Sequence, residues 1–192
     1  MSSVIISGDT SGAITVSAPA VAGTNTLTLQ AATATSSVNT LATAVAPTSG
    51  TGVTFTGIPS WVKRITILIA GLTYSTSIKT SIQIGSGSLS TSGYTSVGAV
   101  IVAGVVGQSN ETTGFNTHAA YAGPISGQIV LTLLNSATNL WVGSGFIAHG
   151  LPAMQQTSGY IALAGVLDRV AINTAAGTAT LSAGSVNILY EG

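Results

Sequence analysis

The alternation of apolar and polar positions is clearest over residues 53–72, VTFTGIPSWVKRITILIAGL. From Trp61 a period of two puts Trp61, Lys63, Ile65, Ile67 and Ile69 on one face. Val62, Arg64, Thr66, Leu68 and Ala70 fall on the other. Both faces become apolar toward the C-terminal end, as in a strand that enters the core from the rim of a sheet. Pro59 has no N–H for a ladder, so it belongs at the strand's first residue or just before it. The stretch is expected to open a β-sandwich.

The same reading places strands near 53–56, 61–72, 78–84, 96–106, 127–134, 139–148, 158–166, 168–173, 178–182 and 185–190, the spacing of a sandwich or jelly roll. Loops are expected at 86–88, Asn110–Asn116 and Gly150–Thr157. The apolar run Val97–Val106 has the length of a buried helix, but its β-branched residues and nearby glycines favour strand. Ahead of these, Val4–Ser7, Ala13–Ser17 and Thr26–Gln30 read as short strands between turns. So small a hairpin cannot stand alone in water; it must lie on the main domain or intertwine with copies of itself. Residues 31–52 are small, polar and uncharged, and read as a linker, with a further strand pair as the alternative. The expected fold class is therefore all-β: an antiparallel, jelly-roll-like β-sandwich over 51–192, preceded by a β-rich arm and linker over 1–50.

Composition sharpens this picture at one point, charge. Four basic and four acidic residues make up 4% of the 192-residue chain, where about 25% is usual. A monomer of 18.9 kDa should expose roughly 8,300 Å², which leaves about one charge per 1,000 Å². Either much of the surface is buried against other subunits or the protein belongs to a large assembly. Zero net charge without a basic patch speaks against nucleic-acid binding. Disorder is excluded by the high hydrophobicity and low charge. There is no cysteine, hence no disulfide and no thiolate metal site. The N-terminus MSSVIISGDT lacks the features of a secretory signal, and the longest apolar run is too short for a membrane-spanning helix.

Candidate chemistry is thin. The acids are Asp9, Glu111, Asp168 and Glu191. A glycosidase needs two carboxylates about one bond, and Glu111 with Asp168 is the available pair. The plainer role for Asp168 is to pair with Lys63 or Arg64 or to cap a turn. His118 and His149 do not make a zinc site within one chain, although three copies of one histidine on a trimer axis would. No Gly-x-Ser-x-Gly elbow is present. No enzymatic activity, cofactor or metal is expected. Trp61, Phe55, Phe146 and Tyr190 lie in predicted strands and read as core. Tyr94, Phe115 and Tyr121 lie in or beside loops with Gln108, Asn110 and Asn116. That cluster is the candidate contact for a sugar or a surface protein, or else for a neighbouring subunit. Lys63, Arg64, Asp168 and Arg169 are expected to form one ionic group.

Two stretches carry a family resemblance. GIPSWVKRITILIAGL (57–72) with YIALAGVLDRVAINTAAGTATLSAGSVNILYEG (160–192) resembles a β-rich C-terminal domain of tailed-bacteriophage virion proteins, usually tail fibres or receptor-binding appendages. ISGDTSGAITVSAPAVAGTNTLTLQAATAT (6–35) resembles a short segment that often precedes such domains. The resemblance implies a non-enzymatic virion protein, made in the host cytoplasm and assembled as a homotrimer. Its arm would hold other virion proteins, and its sandwich would contact a host cell-surface glycan or protein, with no nucleic-acid partner and no membrane insertion. Only residues 1–50 precede the domain, which is short for a fibre. A trimeric capsid decoration protein that stabilises the shell is the alternative.

Overall fold

The computed structural model describes residues 39–117, 120, 123–150, 153–175 and 177–192, and the backbone of 3–7 and 13–17. The chain divides into two compact units, Met1–Ser36 and Ser37–Gly192. In the first, β1 (Ser3–Ser7) and β2 (Ala13–Ser17) form an antiparallel hairpin with Ile5 opposite Thr15. The expected strand at Thr26–Gln30 lies outside the described residues.

The second unit is all-β. Its strands are β3 (Asn39–Leu41), β4 (Gly52–Thr56), β5 (Arg64–Tyr74), β6 (Thr80–Ser86), β7 (Ser88–Leu89), β8 (Thr95–Val102) and β9 (Val105–Glu111). They continue with β10 (Phe115–Asn116), β11 (Ile125–Asn135), β12 (Leu140–His149), β13 (Ala153–Ala162), β14 (Arg169–Thr174) and β15 (Leu181–Glu191). An eight-stranded sheet has the order β3-β15-β5-β11-β12-β13-β8-β9. A smaller sheet has the order β10-β6-β14-β4, with β7 beside β6, and every pairing is antiparallel.

The two sheets make a sandwich because each turns a row of β-branched side chains inward. Ile65, Ile67, Ile129, Leu131, Ile147, Val186 and Ile188 of the large sheet join Val53, Ile82, Ile84, Val170 and Ile172 of the small one in a single buried cluster. Burying such a side chain fully stabilises the fold by about 1.5–3 kcal/mol. With this many, the domain needs no disulfide.

Several boundaries differ from the sequence reading. The long strand begins at Arg64 rather than Trp61, because a turn closed by the Val62 N–H on the Pro59 carbonyl (3.1 Å) occupies the approach. Trp61 is therefore 38% exposed at the rim, tilted against Tyr190 at a centroid distance of 5.8 Å. Residues 31–52 are not wholly a linker: Asn39–Leu41 pairs with β15, and Val45 exchanges two backbone hydrogen bonds with Val186. The compact unit accordingly starts at Ser37, ahead of the expected boundary at 51. The run 96–106 is a hairpin rather than one strand. Ala103 and Gly104 both take positive φ (47° and 80°), the primed two-residue turn whose twist suits a tight hairpin, although Ala103 is not one of its favoured residues. Of the expected loop at 110–116 only residues 112–114 separate strands, and β13 already begins at Ala153 within the expected loop 150–157. Finally, 178–182 and 185–190 are replaced by one strand from Leu181. It absorbs two register shifts around Gly184, whose added Cβ would lie 2.5 Å from the backbone of Gly71 and Leu72.

Candidate interaction face

Three members of the loop cluster proposed as a contact site are not at the surface. Tyr94, Phe115 and Asn116 are buried between the sheets. Phe115 and Asn116 pair with Ile82 and Ser81 at the edge of the small sheet, which turns the Phe115 ring into the core. There it meets Tyr94 edge-on, centroids 5.2 Å apart. The Tyr94 hydroxyl accepts from the Ile84 N–H (2.9 Å), and burial pushes its pKa up to about 12. Gln108 and Asn110 are exposed, but on the outward side of edge strand β9. Tyr121 and His118 lie outside the described residues.

What the burial of Asn116 organises is an ion pair. Glu111 ends β9 facing inward, 9% exposed. Its carboxylate accepts from Lys79 Nζ (2.7 Å), from the Ser109 hydroxyl and from Asn116 Nδ2 (3.0 Å). Burial alone would raise its pKa. The Lys79 ammonium and the two neutral donors outweigh that and hold it below the ordinary carboxylate range. Every acceptor is occupied from within the chain. This carboxylate is a structural strut, with no second carboxylate beside it: Asp168 lies elsewhere, on the approach to β14 in the small sheet.

Nor do Lys63, Arg64, Asp168 and Arg169 form one group. Arg169 Nε holds Asp168 Oδ1 at 2.8 Å, its immediate neighbour, and Asp168 also accepts from the Gly87 N–H. Arg64 reaches Glu191 at 3.7 Å, its cross-strand partner on β15. Lys63 lies exposed in the turn before β5. The Arg169 hydrogen bond holds the Asp168 carboxyl below its usual range, yet the pair is exposed and screened by water, and such pairs contribute little. Asp168→Ala is therefore expected to move the melting temperature by no more than about 2 °C, read by differential scanning fluorimetry. A drop of 5 °C or more would show that the carboxylate holds something further in place. His149 is buried, and desolvation lowers its pKa. Among the described residues no three His, Asp or Glu side chains gather as metal ligands.

The feature that sets this domain apart is the outer face of the eight-stranded sheet. Along β12, Trp141, Ile147 and His149 point inward and Val142, Ser144, Phe146 and Ala148 outward. Along β13, Gln155, Thr157 and Ile161 are buried, while Met154, Gln156, Ser158 and Tyr160 are exposed. Register then assembles rows across strands. One row runs Gln128, Phe146, Gln156, Ala99, Gln108 from β11 to β9, and the next ends Ala148, Met154, Ile101, Val106. No outward position on these five strands carries Asp, Glu, Lys or Arg. Phe146, read from sequence as core, is 57% exposed here. Its strand LWVGSGFIAH is apolar on both faces, with Trp141 and Ile147 on one and Val142 and Phe146 on the other. Alternation alone could not choose between them, and the glycines at 143 and 145 decided it. A Cβ at Gly143 would press on Phe115 and Leu131, and one at Gly145 on the β11 backbone, so that face has to be the packed one.

A groove of about 490 Å³ opens on this face, lined by Phe146, Gln128, Leu68, Ala70, Ser185 and Asn187 among others. The Asn187 amide is held, donating to the Ala42 carbonyl (2.9 Å) while its oxygen accepts from the Ile188 N–H. The Gln128 side chain makes no hydrogen bond among the described residues. Of the three phenylalanines Phe146 is the exposed one, since Phe115 is buried and Phe55 packs against the core. Comparison with protein-family models, curated proteins and solved structures finds no match to this chain. The class defined here is that of an antiparallel β-sandwich whose large sheet presents a broad outer face, uncharged over β11, β12, β13, β8 and β9.

Proposed function

We propose that this is a non-enzymatic structural protein of a tailed-phage virion, a homo-oligomeric appendage whose sandwich projects and meets the host surface. The observation that carries the reading is the uncharged outer face. Five strands at about 4.8 Å spacing and 3.3 Å rise present roughly 600 Å² over eight residues. That area is uncharged but mixed, with Gln128, Gln156, Gln108, Ser144 and Ser158 among its apolar side chains. It approaches the ~800 Å² each partner buries in a standard interface. Val97, Ile101, Val106 and Met154 make its β13–β8–β9 end apolar, and subunits would join there.

The winding supports the same reading. With β3, β7, β15 and the β12 and β13 strands set aside, eight strands remain. Numbered one to eight along the chain, they lie in the small sheet as six-three-eight-one and in the large sheet as two-seven-four-five. We read this as a jelly roll with an inserted strand pair, an architecture of capsid and lectin domains. Tail and head positions are both open to such a protein. Antibody-gold microscopy on intact particles, with light scattering on the purified chain, tests the proposal. Label on the virion and a mass that is a multiple of 18.9 kDa are expected. Unlabelled particles, or a monomer at micromolar concentration, would overturn it. Label at the tail tip would mark an adhesin, and label over the head a decoration protein.

A further inference from the structure

We infer that the groove beside Phe146 binds a neutral oligosaccharide lying across the strands; this rests on the host-surface reading above and names the ligand class. Three observations meet in one row. First, three of the chain's six glutamines, Gln108, Gln128 and Gln156, share a cross-strand row with the most exposed aromatic ring among the described residues. Phe146 stands between Gln128 and Gln156, so a flat apolar surface is flanked on both sides by amides that donate and accept. That is the combination a pyranose needs, with C–H bonds on the ring face and hydroxyls at the edge. Second, the row continues through Leu68 to the fixed Asn187, with Ser185 and Ala70 on the groove wall. Groups therefore recur at the strand spacing of about 4.8 Å, close to the length of one sugar unit along a glycan. Third, no ionisable side chain lines the groove. Sialylated, sulfated or phosphorylated glycans would find no counter-charge there, which leaves neutral ones.

Size agrees, since volumes of 300–1,000 Å³ suit small-molecule sites. The groove itself is lined from β15, β5, β11 and β12, and the apolar side chains assigned to assembly lie on β13, β8 and β9, where Gln156 and Gln108 of the row also stand.

The test is saturation-transfer NMR and calorimetry on the full chain with neutral hexamers: a β-1,4-glucan, an α-1,4-glucan, a β-1,4-mannan and a β-1,4-linked N-acetylglucosamine oligomer. At least one should bind, with saturation strongest on ring C–H protons. Phe146→Ala and Gln128→Ala should each weaken it at least about tenfold. The melting temperature and oligomeric mass should be unchanged, because both side chains are exposed. Affinity should be flat from pH 5 to 9 and insensitive to salt, as nothing in the groove titrates. Three results would overturn the inference: no hexamer binding, binding unaffected by both substitutions, or loss of the oligomer in Phe146→Ala. The last would make the groove a subunit contact. Gold label on particles together with no hexamer binding would leave the virion reading standing and remove this one.

Discussion

Phe115→Ala is expected to destabilise the domain by about 3–5 kcal/mol and to lower its melting temperature on the order of 10 °C. Phe115 has no exposed surface, and its strand is only two residues long. The ring therefore contributes more to holding β10 on the sheet edge than two residues of ladder can. Truncation opens a cavity beneath Gly143 and Leu131 and removes the edge-to-face partner of Tyr94. Tyr94 is itself tied to the Ile84 backbone, so the wall is rigid and cannot collapse into the space. Phe115→Leu, which keeps most of the volume, should recover more than half of the loss. Thermal unfolding followed by circular dichroism measures both. A loss below about 1.5 kcal/mol for the alanine variant would mean that Phe115 is a surface residue after all, as its sequence context suggested.

The second large effect is expected at Lys79. Removing one partner of a buried ion pair costs about 3–5 kcal/mol. Here the Lys79 side chain is 34% exposed and that of Glu111 10%. The expected cost of Lys79→Ala is accordingly lower, about 2–3 kcal/mol. The pH dependence identifies the cause. In the parent chain the folded Glu111 pKa lies below its ordinary value of 4.5. Its contribution to stability is therefore complete above about pH 4.5 and is lost as pH falls through the depressed folded value. Without the ammonium, burial acts against only the Ser109 and Asn116 donors, and the folded pKa rises. The gap between parent and variant should thus be widest near neutrality and close on acidification. Urea titrations at pH 7, 5 and 3.5 would show this. A gap that stays constant over that range would assign the loss to the packing of the lysine stem instead. His149, whose folded pKa is also lowered by burial, adds a fall in stability common to both proteins as pH drops below about 6.5.

The all-β sandwich was legible because strand propensity runs through most of the chain and period-two alternation supports it over β5 and β15. The isoleucines at 65, 67 and 69, read as sharing one face, all turn into the core. The boundaries that failed did so where a turn has no sequence mark. Ala103-Gly104 reverses the chain inside an apolar run, and Ala153 opens a strand one residue after a proline. The interaction site was misplaced for a different reason. Tyr94 and Phe115 stand among Gly, Ser, Thr and Asn, the composition of loops, yet pairing with β6 draws Phe115 inward. Phe146 stands among apolar residues and still faces out. Local composition reports average burial. Which side of a strand is packed depends on strands far away in sequence, and in β12 only the glycines hinted at it.

Order of synthesis adds a constraint of its own. β15 lies between β3 and β5, and its Asn187 bonds to Ala42, 145 positions earlier. While a ribosome is still making residues 181–191, β5 has a bare edge of isoleucine-rich backbone and β3 has no sheet to join. The sandwich can close only when nearly all of it has been made. A nascent domain so dominated by distant pairings folds slowly and is vulnerable to wrong partners in the meantime. In the homo-oligomeric assembly proposed above, many chains would pass through that state side by side.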